Sequence, residues 1–208
     1  MTDRRKQWER VHQPYELAYH RQGNYRWPGR ESLWDEQWEA VFATFGDLTP
    51  TTFEIGACLA DIGCGSRPAL QWFTQDYDLY CLDPLLDDFR VIPQMADFWN
   101  DPRIVAKESR PAEELVESMA GKMDLVLCWN VLDHTFDWRK IVTNLHAYVS
   151  ADGVVLLGTD TGERESKGHP GIVGGRNALL EYVGKLFRTE KAEYNVAHRQ
   201  VCLKLRKR

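Results

Sequence analysis

The chain between residues 57 and 160 is built from short apolar runs set apart by longer amphipathic stretches. Runs at 57–61, 79–83, 103–106, 123–128 and 153–159 are nearly continuous in apolar residues rather than alternating. That pattern belongs to strands buried on both faces. Helices are expected over 67–76, 112–120 and 137–149, with an irregular segment at 85–100 that contains Pro93. Pro111 is placed to open the second of these helices and Gly121 to close it. Strand–helix alternation predicts a doubly wound α/β sheet, parallel, with helices on both faces. The tail breaks the pattern: after a helix at 176–186, two runs at 187–194 and 200–206 follow with no helix between them. Two strands so close form an antiparallel pair, which makes a seven-stranded sheet with its last strand antiparallel.

The first fifty residues read as helical. Trp8, Val11, Tyr15, Leu17 and Ala18 lie near helical spacing within 3–22, with Pro14 as an interruption. A loop rich in breakers covers 23–29. Ser32 is placed to cap a second helix whose face carries Trp34, Trp38, Val41, Phe42 and Phe45, closed by Gly46. The chain thus divides into a helical cap or lid, 1–50, and an α/β domain, 51–208.

Composition narrows the class. A length of 208 residues suits one sizeable core with an appendage, and 43% apolar with 27% charged residues is ordinary for a soluble protein. No apolar run approaches the roughly 20 residues that span a bilayer, and the charged start is no secretory signal. The five cysteines show no CxxC spacing, so they read as buried thiols with neither metal nor disulfide, and point to the cytoplasm. Charge is segregated: residues 1–30 carry +4, 185–208 carry +6 and the middle −15. No separate RNA-binding module is visible, and nucleic acid is not an expected partner.

The chemistry begins where the first strand ends. Asp61-Ile62-Gly63-Cys64-Gly65 is a glycine-rich turn in which two residues without Cβ let a ligand approach main-chain N–H groups. Asp83 closes the second strand, 22 residues later. A carboxylate there can accept hydrogen bonds from both hydroxyls of a ribose. A nicotinamide dinucleotide would want G-x-G-x-x-G, but position 68 is proline.

With the Pro111-Ala112-Glu113-Glu114-Leu115 segment and the block from Asp124 to His134, these residues resemble the class I S-adenosylmethionine-dependent methyltransferases. The resemblance spans roughly residues 54–160 and implies a Rossmann-like fold with an antiparallel final strand. It implies S-adenosylmethionine as cofactor, its ribose on Asp83 and its methionyl end at Gly63, Gly65 and the helix start behind them. Asp61 and the carbonyl near Asn130 would hold the ammonium, and the adenine would lie between Pro84-Leu85 and Pro111-Ala112. Residues 15–45 and the Gly168-His169-Pro170 loop further resemble methyltransferases of cell-surface polysaccharide biosynthesis, which implies a small-molecule or saccharide acceptor. An appendage in this fold closes over the donor, and Arg26 there is placed to pair the methionyl carboxylate.

The reaction so implied is an in-line displacement at an activated methyl, for which positioning and exclusion of water do most of the work. A hydroxyl acceptor also needs a base, and imidazole is the obvious type near neutrality. His134, after the fourth strand, is the first choice; His169, in the loop after the fifth, is the second. The main reading is therefore O-methylation of a small or saccharide-like acceptor. The competing one is a donor-binding module without turnover that serves a partner or a regulatory role.

Overall fold

The computed structural model describes residues 3–22, 31–93, 95–162, 169–195 and 199–208. Seven strands form one sheet: β1 (Cys58–Ile62), β2 (Asp78–Leu82), β3 (Ile104–Glu108), β4 (Met123–Trp129), β5 (Val149–Asp160), β6 (Phe187–Asn195) and β7 (Gln200–Lys207). Their order is β3-β2-β1-β4-β5-β7-β6. The first five strands pair in parallel, and β7 runs antiparallel to both its neighbours. The fold expected from the sequence is the one observed.

Both faces are covered. On one, α5 (Trp138–Tyr148) and α6 (Gly175–Leu186) bury Ile141, Leu145, Leu179 and Val183 against Val126, Val155 and Leu157. On the other, Phe42, Phe73, Phe89 and Trp99 pack on Leu59, Leu79 and Leu127. Those side chains come from a helix α2 (residues 31–45), from the turn after β1, and from two short helices, α3 (Leu86–Arg90) and α4 (Ala96–Trp99). Helix α5 is capped as its sequence requires, with the Asp137 side chain accepting from Lys140 N–H. Among the described residues, no helix is long and apolar enough to cross a membrane.

The N-terminal helix α1 (residues 3–21) is continuous through Pro14, contrary to the expected interruption. A π-type turn at Trp8–His12 precedes the proline, which falls at the start of the α-helical stretch Gln13–Arg21. The wider turn accommodates a residue that lacks an N–H. Helix α2 begins at Glu31, one residue before the expected cap Ser32, and ends at Gly46 as expected. The Gly46 carbonyl accepts from the Lys204 ammonium of β7, so the helix end is tied to the sheet.

Two expected helices are absent. Over 67–76 there is only a 3₁₀ turn, Ala69–Trp72. Phe73 is extended and fully buried, with its ring 4.9 Å from Phe42, so docking onto α2 overrides local periodicity. Over 112–120 only Glu117–Met119 is helical. Tyr148 Oη accepts from Val116 N–H at 3.0 Å, and Asn144 Nδ2 donates to the Ala112 carbonyl at 2.8 Å. Side chains of α5 thus hold backbone groups that a helix would have paired with itself.

Candidate functional site

The carboxyl ends of β1 to β5 lie along one edge, and the strand order reverses between β1 and β4. A crevice at that switch point is where open α/β sheets bind ligands. The glycine turn sits in it. Gly63 has φ +76° and Gly65 φ +62°, and both Gly63 and Cys64 N–H donate to the Leu82 carbonyl. A Cβ on Gly63 would come within 2.3 Å of Val131 Cγ2, whereas one on Gly65 would meet nothing within 4 Å. Gly63→Ala should therefore cost about 1–3 kcal/mol of stability and Gly65→Ala only about 1, the backbone contribution alone. Equal losses in chemical denaturation would show that the Val131 contact is not what constrains the turn.

Asp83, just beyond β2, is buried and holds the turn from the side. Its Oδ2 accepts from Gly65 N–H at 3.0 Å and its Oδ1 from Leu85 N–H at 2.8 Å. Each oxygen retains acceptor capacity for a further donor. Burial pushes its pKa up to about 6, against the lowering by those two N–H groups. Asp61 is buried at the end of β1, where its Oδ2 accepts from Ala69 N–H at 2.9 Å. Burial pushes it up to about 7.

Pro84 and Leu85 follow Asp83 on one side of the crevice; Pro111 and Ala112 follow β3 on the other. Glu108, a candidate partner for an adenine amino group, pairs with Arg110 at 2.8 Å. Asn130 takes a left-handed conformation, φ +60°, and donates its N–H to the Gly158 carbonyl. The helix start expected behind Gly65 is reduced to a single 3₁₀ turn, Ala69–Trp72, and the N–H groups of Gly63, Cys64 and Gly65 are taken up by Leu82 and Asp83. Arg26 lies outside the described residues.

Next to the glycine turn, three segments meet. The loop after β4 supplies Asp133 and His134, the loop after β5 supplies His169, and α1 supplies Glu16. His169 Nδ1 is 2.9 Å from Asp133 Oδ2, and Thr159 Oγ1 donates to Asp133 Oδ1 at 3.1 Å. His134 Nδ1 is 3.1 Å from Glu16 Oε1, and the two imidazole rings lie 4.1 Å apart. Burial raises the pKa of Asp133, but the His169 hydrogen bond and the charges of both histidines outweigh it, leaving the carboxyl below its ordinary range. Glu16 is likewise lowered overall, burial being overcome chiefly by its bond to His134.

Helix α1 crosses this edge and grips the loops after β2, β3 and β4. Arg21 pairs with Asp88 and the His20 ring packs 4.6 Å from Phe89; Arg5 pairs with Glu114. Trp8 donates its indole N–H to the His134 carbonyl at 2.7 Å and packs edge-on against Phe136. At the end of β5, a cavity of about 490 Å³ is lined by Thr161, Arg176, Asn177, Tyr194 and Arg199 among others.

Glu113 fixes the loop that carries His134. Only 1% exposed, its Oε1 accepts from Phe136 and Asp137 N–H, while Oε2 has no hydrogen-bond partner among the described residues. Burial pushes its pKa up to about 7. A carboxyl raised above its unfolded value makes its most favourable contribution at acidic pH, and that contribution is lost as pH rises from about 4 through 7. Glu113→Gln keeps the accepting carbonyl without the charge. It should stabilise the fold by about 1 kcal/mol at pH 8 and have almost no effect at pH 4. Thermal melts at the two pH values test this, and equal shifts at both would count against a charge effect.

Every candidate site residue from the sequence that falls among the described ones lies at the carboxyl edge or in the loops leading from it. Sequence reasoning missed Asp133, which reads as a helix start, although its adjacency to His134 was a usable signal. It also missed Glu16 and Thr159, which have no motif context, and Glu113, which lies inside the 111–115 segment.

A family model described as a methyltransferase domain matches residues 34–188. No curated protein matches the sequence. Among solved structures, the chain is similar to Burkholderia thailandensis 1,6-didemethyltoxoflavin-N1-methyltransferase, which holds 1,6-didemethyltoxoflavin and S-adenosylhomocysteine. That likeness has a TM-score of 0.57 and 16% identity over 86% of this chain and 82% of the other. A TehB-like S-adenosylmethionine-dependent methyltransferase from Corynebacterium glutamicum gives a TM-score of 0.54 and 18% identity over 87% of this chain and all (100%) of that one. The [4+2]-cyclase SpnF gives 0.63 and 12% over 83% and 80%.

Proposed function

The chain belongs to the methyltransferase domain family, and from that premise we propose that it moves the sulfonium methyl of S-adenosylmethionine to a hydroxyl of a small, saccharide-like acceptor. It is an S-adenosylmethionine-dependent methyltransferase. In the proposed arrangement Asp83 accepts from the ribose, Gly63 and Gly65 admit the methionyl group, and Asp61 and Asn130 lie at its ammonium end. Pro84, Leu85, Pro111 and Ala112 enclose the adenine. Residues 1–50 are the cap: α1 covers the donor, with Arg26 as the candidate partner of the methionyl carboxylate.

The observation that carries the acceptor assignment is the Asp133–His169 pair beside the glycine turn. With Nδ1–H donated to Asp133, His169 presents Nε2 as the acceptor of a proton. As the acceptor oxygen attacks the methyl carbon and the C–S bond breaks, the hydroxyl proton moves to Nε2. Asp133 then stabilises the imidazolium without itself being protonated. Thr159 fixes the carboxylate's orientation. His134, held by Glu16, is the second candidate, so the local pairings reverse the order of preference given by sequence. The cavity at the end of β5, lined by two arginines, an asparagine, a threonine and a tyrosine, suits a polar acceptor of sugar size.

The similarity to a cyclase keeps a second reading open, since a fold of this kind does not fix the reaction. In that reading the chain binds the donor without turnover and serves a partner. Incubation with S-adenosylmethionine and a panel of saccharide and small hydroxyl acceptors separates the two. S-adenosylhomocysteine release with an O-methyl product by NMR supports the proposal. Methylation on nitrogen, or tight donor binding with no turnover on any hydroxyl acceptor, would overturn it.

A further inference from the structure

We propose that Asp133, His134 and His169 form a binding site for one divalent first-row transition-metal ion of the zinc type. A donor atom from each of the three residues lies within 4.8 Å of the others. Asp133 Oδ2 is 2.9 Å from His169 Nδ1 and 3.6 Å from His134 Nε2. Ligands sharing one ion at bond lengths of about 2.0–2.1 Å are themselves about 3–3.4 Å apart. Both carboxylate–imidazole distances are thus within a few tenths of an ångström of that spacing, and the two imidazole donors lie within 4.8 Å of each other. The ion takes the position of the proton that bridges His169 and Asp133.

The surroundings are those of a metal site as well as of a base. His134 has its other ring nitrogen, Nδ1, on the Glu16 carboxylate at 3.1 Å, the carboxylate–histidine arrangement that orients an imidazole toward an ion and raises its basicity. Asp133 has its other oxygen held by Thr159 Oγ1, and its main-chain carbonyl accepts from Gly171 N–H. These bonds fix the loop after β5 against the loop after β4. Two imidazoles and one carboxylate select zinc-like ions over magnesium or calcium, which prefer oxygen. Three protein ligands leave coordination positions open to solvent or substrate.

The inference goes beyond the methyl-transfer reading and touches it at one point. With Nδ1 on the ion, the single proton of a neutral His169 ring resides on Nε2, which then has no lone pair for the acceptor's proton. Ion binding and base catalysis by His169 exclude one another, so the site is a means by which such an ion silences the enzyme.

Binding is measured on the full chain without donor or acceptor, so its outcome is independent of any turnover. Zinc is titrated by calorimetry in competition with a chelator of known affinity. One ion per chain is expected, with affinity falling at least about 100-fold in His169→Gln. The His169 side chain is 44% exposed, so this variant should fold, and its melting curve shows whether it does. Asp133→Asn should lose binding to a similar extent, and Glu16→Gln about 10–100-fold less affinity with the stoichiometry kept. Millimolar magnesium should not displace the zinc. Absence of zinc binding, wild-type affinity in folded His169→Gln, or displacement by magnesium would each overturn the proposal.

Discussion

Replacing His169 by Gln should lower kcat by roughly 10²–10⁴-fold and leave S-adenosylhomocysteine affinity nearly intact, if His169 is the base. Gln can still donate from its amide to Asp133, so the carboxylate keeps a partner and the loop after β5 keeps its tie. What disappears is an atom able to take up the hydroxyl proton. The proposed donor contacts lie chiefly on the loops after β1, β2 and β3, which explains why binding should survive. His134→Gln should have the same signature if the proton goes there instead. It would also disturb the Glu16 contact, and so the seating of α1. The pair of variants therefore decides between two candidate bases whose rings lie 4.1 Å apart. Wild-type rates in both, once an acceptor is in hand, would leave proximity alone to account for the rate.

Asp83→Ala should weaken donor binding by about 1.5–3 kcal/mol, or roughly tenfold to 150-fold. Two effects add. The ribose loses its charged acceptor, and Gly65 and Leu85 N–H lose the carboxylate that pins the turn. The pH dependence separates this from general damage. Burial holds Asp83 near 6, and the ionised form is the better acceptor for the ribose hydroxyls. Affinity should therefore fall below pH 6, by at most tenfold per pH unit, as protonation competes with the ribose. In Asp83→Ala that slope should vanish. Calorimetry with S-adenosylhomocysteine between pH 5 and 8 measures both, and unchanged affinity in the variant would count directly against the ribose assignment.

The same residues show how far a sequence reaches. The apolar runs of β1 to β5 and the two alternating runs of β6 and β7 were all legible within a few residues. Gly63 and Gly65 were legible as a turn because positive φ leaves few residues free to serve there. Helices after β1 and β3 were misread because periodicity records the tendency of a segment by itself. Whether its backbone pairs within the segment is settled by what packs against it: Phe42 against Phe73, and Tyr148 and Asn144 against residues 112–116.

By itself, then, the sequence determined the α/β alternation, the antiparallel last strand, the glycine turn and the acidic residue at the end of β2. Each of these is written in neighbouring residues, through burial, backbone freedom or fixed spacing. Only the tertiary structure decided which side chains meet at the carboxyl edge. Glu16 meets His134 across 118 positions and His169 meets Asp133 across 36. Nothing local encodes such pairs. They exist because α1 docks through Trp8 across the loops at the carboxyl edge, and because the loops after β4 and β5 leave adjacent parallel strands side by side.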